Sequence, residues 1–259
     1  MILYCCIWAL TEPEEVAHQH LHDLGFTAFD IRPSFLRSEE AEESRKKLGL
    51  TPCCIALSHE LPKGAKIDTD NADALRLAIE HMKDGLEHAA RRGVRWAYLV
   101  PEAPVDGRSV ERYTVPIKTI AGYGQALGIK VCIEHFPGTA FPTISSTLKF
   151  IDELGHDNLY LLLDTGHAQI SNEDPRVALA SAGNRLGYVH LDDNDGIRDL
   201  HLGLTDGLQT ESSLSDFFQV LKDIGYKGPV SLEMHDNLPD PLMAIDQGRK
   251  IVNSIIKTA

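Results

Sequence analysis

Short apolar runs recur along the chain, each preceded by an amphipathic stretch ending in a glycine, with a period of about 30 residues that marks a repeated structural unit. The glycines stand in DLGFTAFDIR (Gly25), KLGLTPCCIAL (Gly49), RRGVRWAYLV (Gly93), ALGIKVCIEH (Gly128), ELGHDNLYLLLD (Gly155), RLGYVHLD (Gly187) and IGYKGPVSLE (Gly225). A residue without a Cβ accepts the left-handed backbone that ends a helix, so all seven read as helix stops just ahead of strands. With the first run included, strands are expected at 2–8, 27–32, 53–59, 95–101, 130–135, 159–164, 187–192 and 229–235. Most positions in each are apolar, as in parallel strands buried on both faces. Helices are expected near 12–24, 38–48, 71–92, 109–127, 143–154, 174–186, 212–225 and 240–257. Some open on start signals, such as Thr11 with Pro13 and Asp240 with Pro241. Eight strands alternating with eight helices, with no linker-like segment between them, predict an α/β fold: a single (β/α)8 TIM barrel over residues 1–259.

Composition narrows the partners. The chain carries 25 Lys and Arg against 38 Asp and Glu, a formal charge of -13, which opposes binding to a phosphate backbone. No nucleic acid partner is expected. The opening MILYCCIWAL lacks a basic leader and a small-residue cleavage site, and no apolar run approaches the roughly 18 residues of a membrane span. The expectation is a cytoplasmic protein without a membrane partner; a homo-oligomer is left open. The five cysteines, Cys5, Cys6, Cys53, Cys54 and Cys132, are odd in number and lie in strand-like segments. They read as reduced core thiols, with each vicinal pair split between the two faces of its strand.

Four consecutive strand segments each end on a potential metal ligand: Glu134 in KVCIEHF, Asp164 in LYLLLD, His190 in LGYVHLD and Glu233 in PVSLEMH. Barrel active sites are built at the C-terminal strand ends, so adjacent staves would bring these four together. Taken singly, Asp164 reads equally as a turn cap, His190 as a core histidine and either glutamate as an arginine partner. Three carboxylates and one imidazole suit one hard or borderline divalent cation, Mn, Mg, Co or Zn. The longer loops at 61–70, 101–108, 137–143 and 193–211 follow strands on the same face and would cover a small substrate.

Five motifs carry a resemblance: IEH at Glu134, DTGHA at Asp164 and His167, VHLDDNDG at His190, DLHLG at His201 and GYKGPVSLE at Glu233. In these the chain resembles the xylose isomerase-like TIM barrels and, within them, the sugar phosphate isomerase/epimerase family. The likeness covers the chain from about residue 120 onward, and the earlier part only through the repeat. It implies a divalent-metal-dependent isomerase or epimerase of a small carbohydrate, with Glu134, Asp164, His190 and Glu233 binding the metal. It also implies that Glu134 and Glu233 are the acid/base pair, working through a cis-enediolate. Chelation of a ketone oxygen and its neighbouring hydroxyl would acidify the C–H between them, which gives the two glutamates a proton to move.

The resemblance further implies that His167 hydrogen-bonds a substrate oxygen, with Gly166 leaving room for close approach, and that Arg198 and His201 contact substrate from the loop after strand 7; an exposed loop charge is the other reading of Arg198. LTDG at 204–207 departs from the Pro-Gly segment usual there. His59, ending strand 3, is a candidate pocket residue, whereas His18, His20 and His22 read as a packing or solvated helix surface. Two other activities share the fold. Endonuclease IV-type nucleases have the D-x-x-H and D-x-H pairs seen at Asp164/His167 and Asp199/His201, but strand 4 ends in Val100 and Pro101 where they need a histidine, and the charge is unsuitable. Inosose and dehydroshikimate dehydratases would follow the same enolate step with loss of water.

Overall fold

The computed structural model describes residues 2–102, 105–179 and 182–258. Its strands are β1 (Leu3–Cys5), β2 (Ala28–Ile31), β3 (Thr51–Ala56), β4 (Trp96–Leu99), β5 (Lys130–Glu134), β6 (Leu159–Asp164), β7 (Leu186–Leu191) and β8 (Val230–Leu232). They pair in parallel in the order β1-β8-β7-β6-β5-β4-β3-β2, and a bridge from Cys6 to Asp30 brings the two ends of the sheet together. The helices are α1 (Glu14–Asp23), α2 (Glu39–Lys47), α3 (Ala72–Arg92), α4 (Ser109–Ala126), α5 (Ile144–Leu154), α6 (Thr165–Ile170), α7 (Pro175–Leu179), α8 (Glu211–Asp223) and α9 (Pro241–Thr258). The expected (β/α)8 barrel is the observed fold.

Six of the seven expected stop glycines, Gly25, Gly49, Gly93, Gly128, Gly155 and Gly225, have φ between +63° and +83°. Gly187 is a correction, because it lies inside β7. There the pairing passes from Leu161 with Leu186 to Leu162 with Tyr188, so β7 carries an extra residue. A Cβ on Gly187 would stand 2.7 Å from Tyr160 Cβ and 2.8 Å from both Cys132 Sγ and Trp96 Cζ3. Gly187→Ala is therefore expected to cost about 1–3 kcal/mol by overpacking, read as a lower urea midpoint at unchanged slope. A normal midpoint would show that this packing yields without cost.

Of the helix expected at 174–186, the described residues show α7 and, at Gly183–Arg185, a 3-10 turn instead. Ala180 and Ser181 of that stretch, Ala103 and Pro104 of the loop expected at 101–108, and the terminal Met1 and Ala259 lie outside the described residues. The first strand also stops early: Ile7–Ala9 form a 3-10 turn, and Trp8 joins the cluster inside the barrel. α1 begins after Pro13 without a side-chain cap, so Thr11 does not serve as its start signal. Asp240 does, accepting a hydrogen bond from Met243 N at 2.9 Å.

Alternate residues on each strand divide between two cores. Cys6, Trp8, Cys54, Ala56, Tyr98, Cys132, Leu162 and Tyr188 fill the barrel interior, and the larger cluster lies between sheet and helices. Cys5 and Cys6 separate as expected. Cys53 and Cys54 do not: the register slips between Phe29/Pro52 and Ile31/Ile55, and both thiols pack against the inner cluster.

His18 on α1 is fully buried, its ring 5.1 Å from that of Phe29, and neither ring nitrogen has a hydrogen-bond partner among the described residues. Burial lowers its pKa to about 4. The folded chain thus keeps His18 neutral where the unfolded chain protonates it, so its contribution to stability is complete above pH 6.5 and is lost as pH falls toward 4. The chain should lose about 1–2 kcal/mol from this group between pH 7 and pH 5, allowing for solvent screening. Denaturant melts of His18→Leu should lack that loss, and an equal loss in the variant would refute the assignment.

Candidate metal centre and cavity

The alternation that fills the barrel also builds its upper surface. On β5, β6 and β7 the inward apolar residues Cys132, Leu162 and Tyr188 are each followed two positions later by Glu134, Asp164 and His190. Glu233 follows the last residue of β8. Ligand atoms of Glu134, Asp164, His190 and Glu233 all lie within 4.8 Å of one another, and all four residues are buried.

Polar atoms so placed would normally be hydrogen-bonded. Yet Glu134 Oε1, Asp164 Oδ2 and His190 Nδ1 have no hydrogen-bond partner among the described residues. His190 Nδ1 lies 2.6 Å from Glu233 Oε2 and 3.5 Å from Glu134 Oε1, without hydrogen-bond geometry to either. Three carboxylates and an imidazole converging in one buried pocket fit a divalent cation. Asp164 also caps α6, its Oδ1 accepting from His167 N at 2.7 Å, so its two oxygens have separate tasks.

Burial, followed by the neighbouring Asp192, pushes the pKa of Asp164 well above the usual carboxylate range. At His190 burial opposes the charged ring, but Glu233 and the other acceptors around it hold the imidazole well above its ordinary value. Burial would raise Glu233 in turn, and the His190 charge overrides it and lowers the carboxyl. Without a cation, these two residues form a buried ion pair.

A second group adjoins the first. His167 Nδ1 is 3.0 Å from the His135 carbonyl, and its Nε2 is 3.4 Å from Asp199 Oδ1. The same Asp199 oxygen is 3.1 Å from His201 Nε2, and His201 Nδ1 is 3.3 Å from Asp192 Oδ2. Burial disfavours charge on His167, but Asp164 and Asp199 outweigh it and raise its pKa to about 10. His167, Asp199 and His201, with Glu134 and Glu233, floor a cavity of about 330 Å3. Its walls come from the loops after β3 and β4, through Ser58, His59, Leu61, Ile67 and Val100 to Glu102, and from Phe136. A cavity of about 600 Å3 at the other end of the barrel, lined by Tyr4, Arg95 and Lys227 among others, contains none of the converging groups.

Of the substrate contacts expected from sequence, His59, His167 and His201 line the cavity and Arg198 does not. The Arg198 side chain is 70 % exposed and bonds Asp195 Oδ2 at 2.8–2.9 Å. Asp195 Oδ1 accepts from the backbone of Ile197 and Arg198, which fixes that turn. Gly166 does leave room, but Asp192 and Asn194 fill it: a Cβ there would stand 2.2 Å from Asp192 Oδ2. Asp192, whose Oδ1 accepts from Gly166 N at 2.8 Å, was not foreseen. Its signal was the acid pair directly after the His190 strand in VHLDDNDG.

Among known proteins, the L-ribulose 3-epimerase of Methylomonas sp. is 29% identical over 132 residues, which are 49% of this chain and 43% of that protein. The D-psicose 3-epimerase of Enterocloster bolteae is 24% identical over 233 residues, 81% of this chain and 73% of its own length. An inosose dehydratase of Klebsiella pneumoniae is 30% identical over 161 residues, 55% of this chain and 54% of the enzyme. The crystal structure of D-allulose 3-epimerase from Methylomonas sp. superposes with a TM-score of 0.83 at 17% identity, covering 98% of each chain. That of the IOLI protein, with a bound zinc atom, gives 0.81 at 16% identity over 100% of this chain and 99% of the other. The match to the family described as xylose isomerase-like TIM barrel runs from residue 19 to residue 254, from α1 into α9, and the chain belongs to that family.

Proposed function

We propose that the chain is a divalent-metal-dependent isomerase or epimerase of a small ketose or keto-sugar, moving a proton on the carbon beside the carbonyl. The observation that carries this reading is that Glu134 and Glu233 belong to the four-residue ligand cluster and both also open onto the cavity. Glu134, Asp164, His190 and Glu233 would hold the ion, which when bound supplies electrostatic stabilisation to a developing enediolate. One glutamate takes the proton and the other returns it. Return to the opposite face of the same carbon gives an epimer, and return to the next carbon an isomer. His167, pinned through Nδ1, presents Nε2 toward Asp199 and a substrate oxygen. His201 and His59 meet the remaining hydroxyls. Arg198, turned to Asp195, is left out of this set.

The reading carries with it a cytoplasmic enzyme of one barrel domain, with carbohydrate rather than nucleic acid or membrane as its partner. It is supported by the charge of -13 and by the ketose 3-epimerases among its relatives. No helix among the described residues is long and apolar enough to cross a membrane. The inosose dehydratase likeness favours a second reading, in which water leaves after the same first step.

The test is incubation of metal-analysed protein with ketoses, keto-acids and inososes in deuterated water, followed by NMR. Metal-dependent deuterium uptake beside a carbonyl with an isomeric product supports the proposal. A product lacking one water moves the chain to the dehydratases, and metal-free protein without exchange removes both.

A further inference from the structure

Asp30 is an acid with no part in the reading above. It is fully buried in β2, at the only non-apolar position of AFDI. Its Oδ1 accepts hydrogen bonds from Tyr188 Oη at 2.6 Å and from Cys54 N at 3.1 Å. Its Oδ2 faces Cys6 Sγ at 3.7 Å, and that sulfur lies 4.0 Å from His190 Nε2. The direct separation from Nε2 to Oδ2 is 3.9 Å. The His190 ring thus has two sides, with Nδ1 toward Glu134 and Glu233 and Nε2 toward Cys6 and Asp30. Tyr98 and Tyr188 stand edge-on to it, with ring centroids 5.2 and 5.6 Å away.

An imidazole binds a cation through a nitrogen that carries no proton, so the other nitrogen needs an acceptor for its N–H. We infer that Asp30, acting through the interposed Cys6 thiol, is the positioning residue that keeps the Nε2–H of His190 engaged and turns Nδ1 toward the metal. The chain of donors runs from Nε2–H to the Cys6 sulfur, and from the Cys6 S–H to Asp30 Oδ2. Tyr188 and Cys54 N hold the carboxylate at the far end. The inference rests on the proposed metal-binding role of His190. Cys6, Asp30 and His190 also lie close enough together to hold an ion themselves, but Asp30 Oδ1 already takes two donors, which favours the positioning role.

The test is titration of metal-depleted protein with Co2+, reading bound metal per chain and the visible absorption. Wild type is expected to take one Co2+. Asp30→Asn and Cys6→Ala should weaken it about 10- to 100-fold and shift the absorption band, and Cys6→Ser should recover part of the affinity. Circular dichroism establishes that each variant is folded; if Asp30→Asn is not, the Cys6→Ala and Cys6→Ser pair decides. Folded variants within twofold of wild type, with unchanged spectra, overturn the inference while leaving the metal-binding reading intact. Two Co2+ per chain, one of them lost in Cys6→Ala, overturn it in favour of a second ion. A wild type that takes no Co2+ removes the metal-binding reading itself, and the inference with it.

Discussion

In metal-replete Glu233→Gln protein, solvent deuterium uptake beside the substrate carbonyl is expected to fall by about 1,000-fold or more, with the circular dichroism spectrum unchanged. Glutamine keeps the volume of a side chain that is only 8 % exposed, so the barrel around it has no reason to rearrange. What it loses is the ability to accept a proton and the charge that faces His190 across 2.6 Å. Glu134→Gln should do the same from the other side of the cluster. Both substitutions also remove a ligand charge, so the assay is run at saturating metal, where a loss that persists belongs to proton transfer. Normal turnover by either variant would show that the acid and base lie elsewhere, with His167 and His201 the next groups on the cavity floor.

Removal of the ion is expected to be as costly. Dialysis against a chelator should abolish exchange, and added Mn, Mg, Co or Zn should restore it. Asp164→Asn should weaken metal binding by at least about 100-fold, because the amide preserves the α6 cap on His167 N and removes the charge on the atom left unpartnered. The effect on folding has a defined sign: an ion present at one hundred times its dissociation constant stabilises the native state by about 2.7 kcal/mol. The pH dependence follows from the metal-free state, in which Glu233 keeps His190 protonated well past its ordinary value. Metal must expel that proton. Affinity therefore rises with pH, about tenfold per unit, until the metal-free pKa is passed. Calorimetry in two buffers of different ionisation enthalpy reads the released proton, and its absence would exclude His190 as a ligand.

Much of this was legible because the chain repeats. Glycine stops mark the ends of helices, and an ionisable residue at the end of an apolar strand is conspicuous, so the barrel and the meeting of Glu134, Asp164, His190 and Glu233 at one end of it could be expected from the sequence. Two of the misses share a cause. The bulges at Cys53–Cys54 and at Gly187 arise from packing across the barrel, between residues far apart in sequence, and a repeat read along the chain does not register them. Arg198 sat in a motif that points it at substrate, but Asp195, three residues earlier, captures both its backbone and its guanidinium. Asp30 could have been found. An acid inside AFDI is as anomalous as one ending LYLLLD, and only its mid-strand position hid it.

The source of the cavity walls has a consequence for how such an enzyme can be re-specified. The ligand candidates stand on or just after β5 to β8, and Cys6, directly after β1, and Asp30 in β2 adjoin them, whereas His59, Leu61, Ile67, Val100 and Glu102 all follow β3 or β4. The segments that follow β3 and β4 thus set what the mouth admits: exchanging Leu61 or Ile67 is expected to change the substrates taken up, while the candidate ligands and the groups packed under them keep their places.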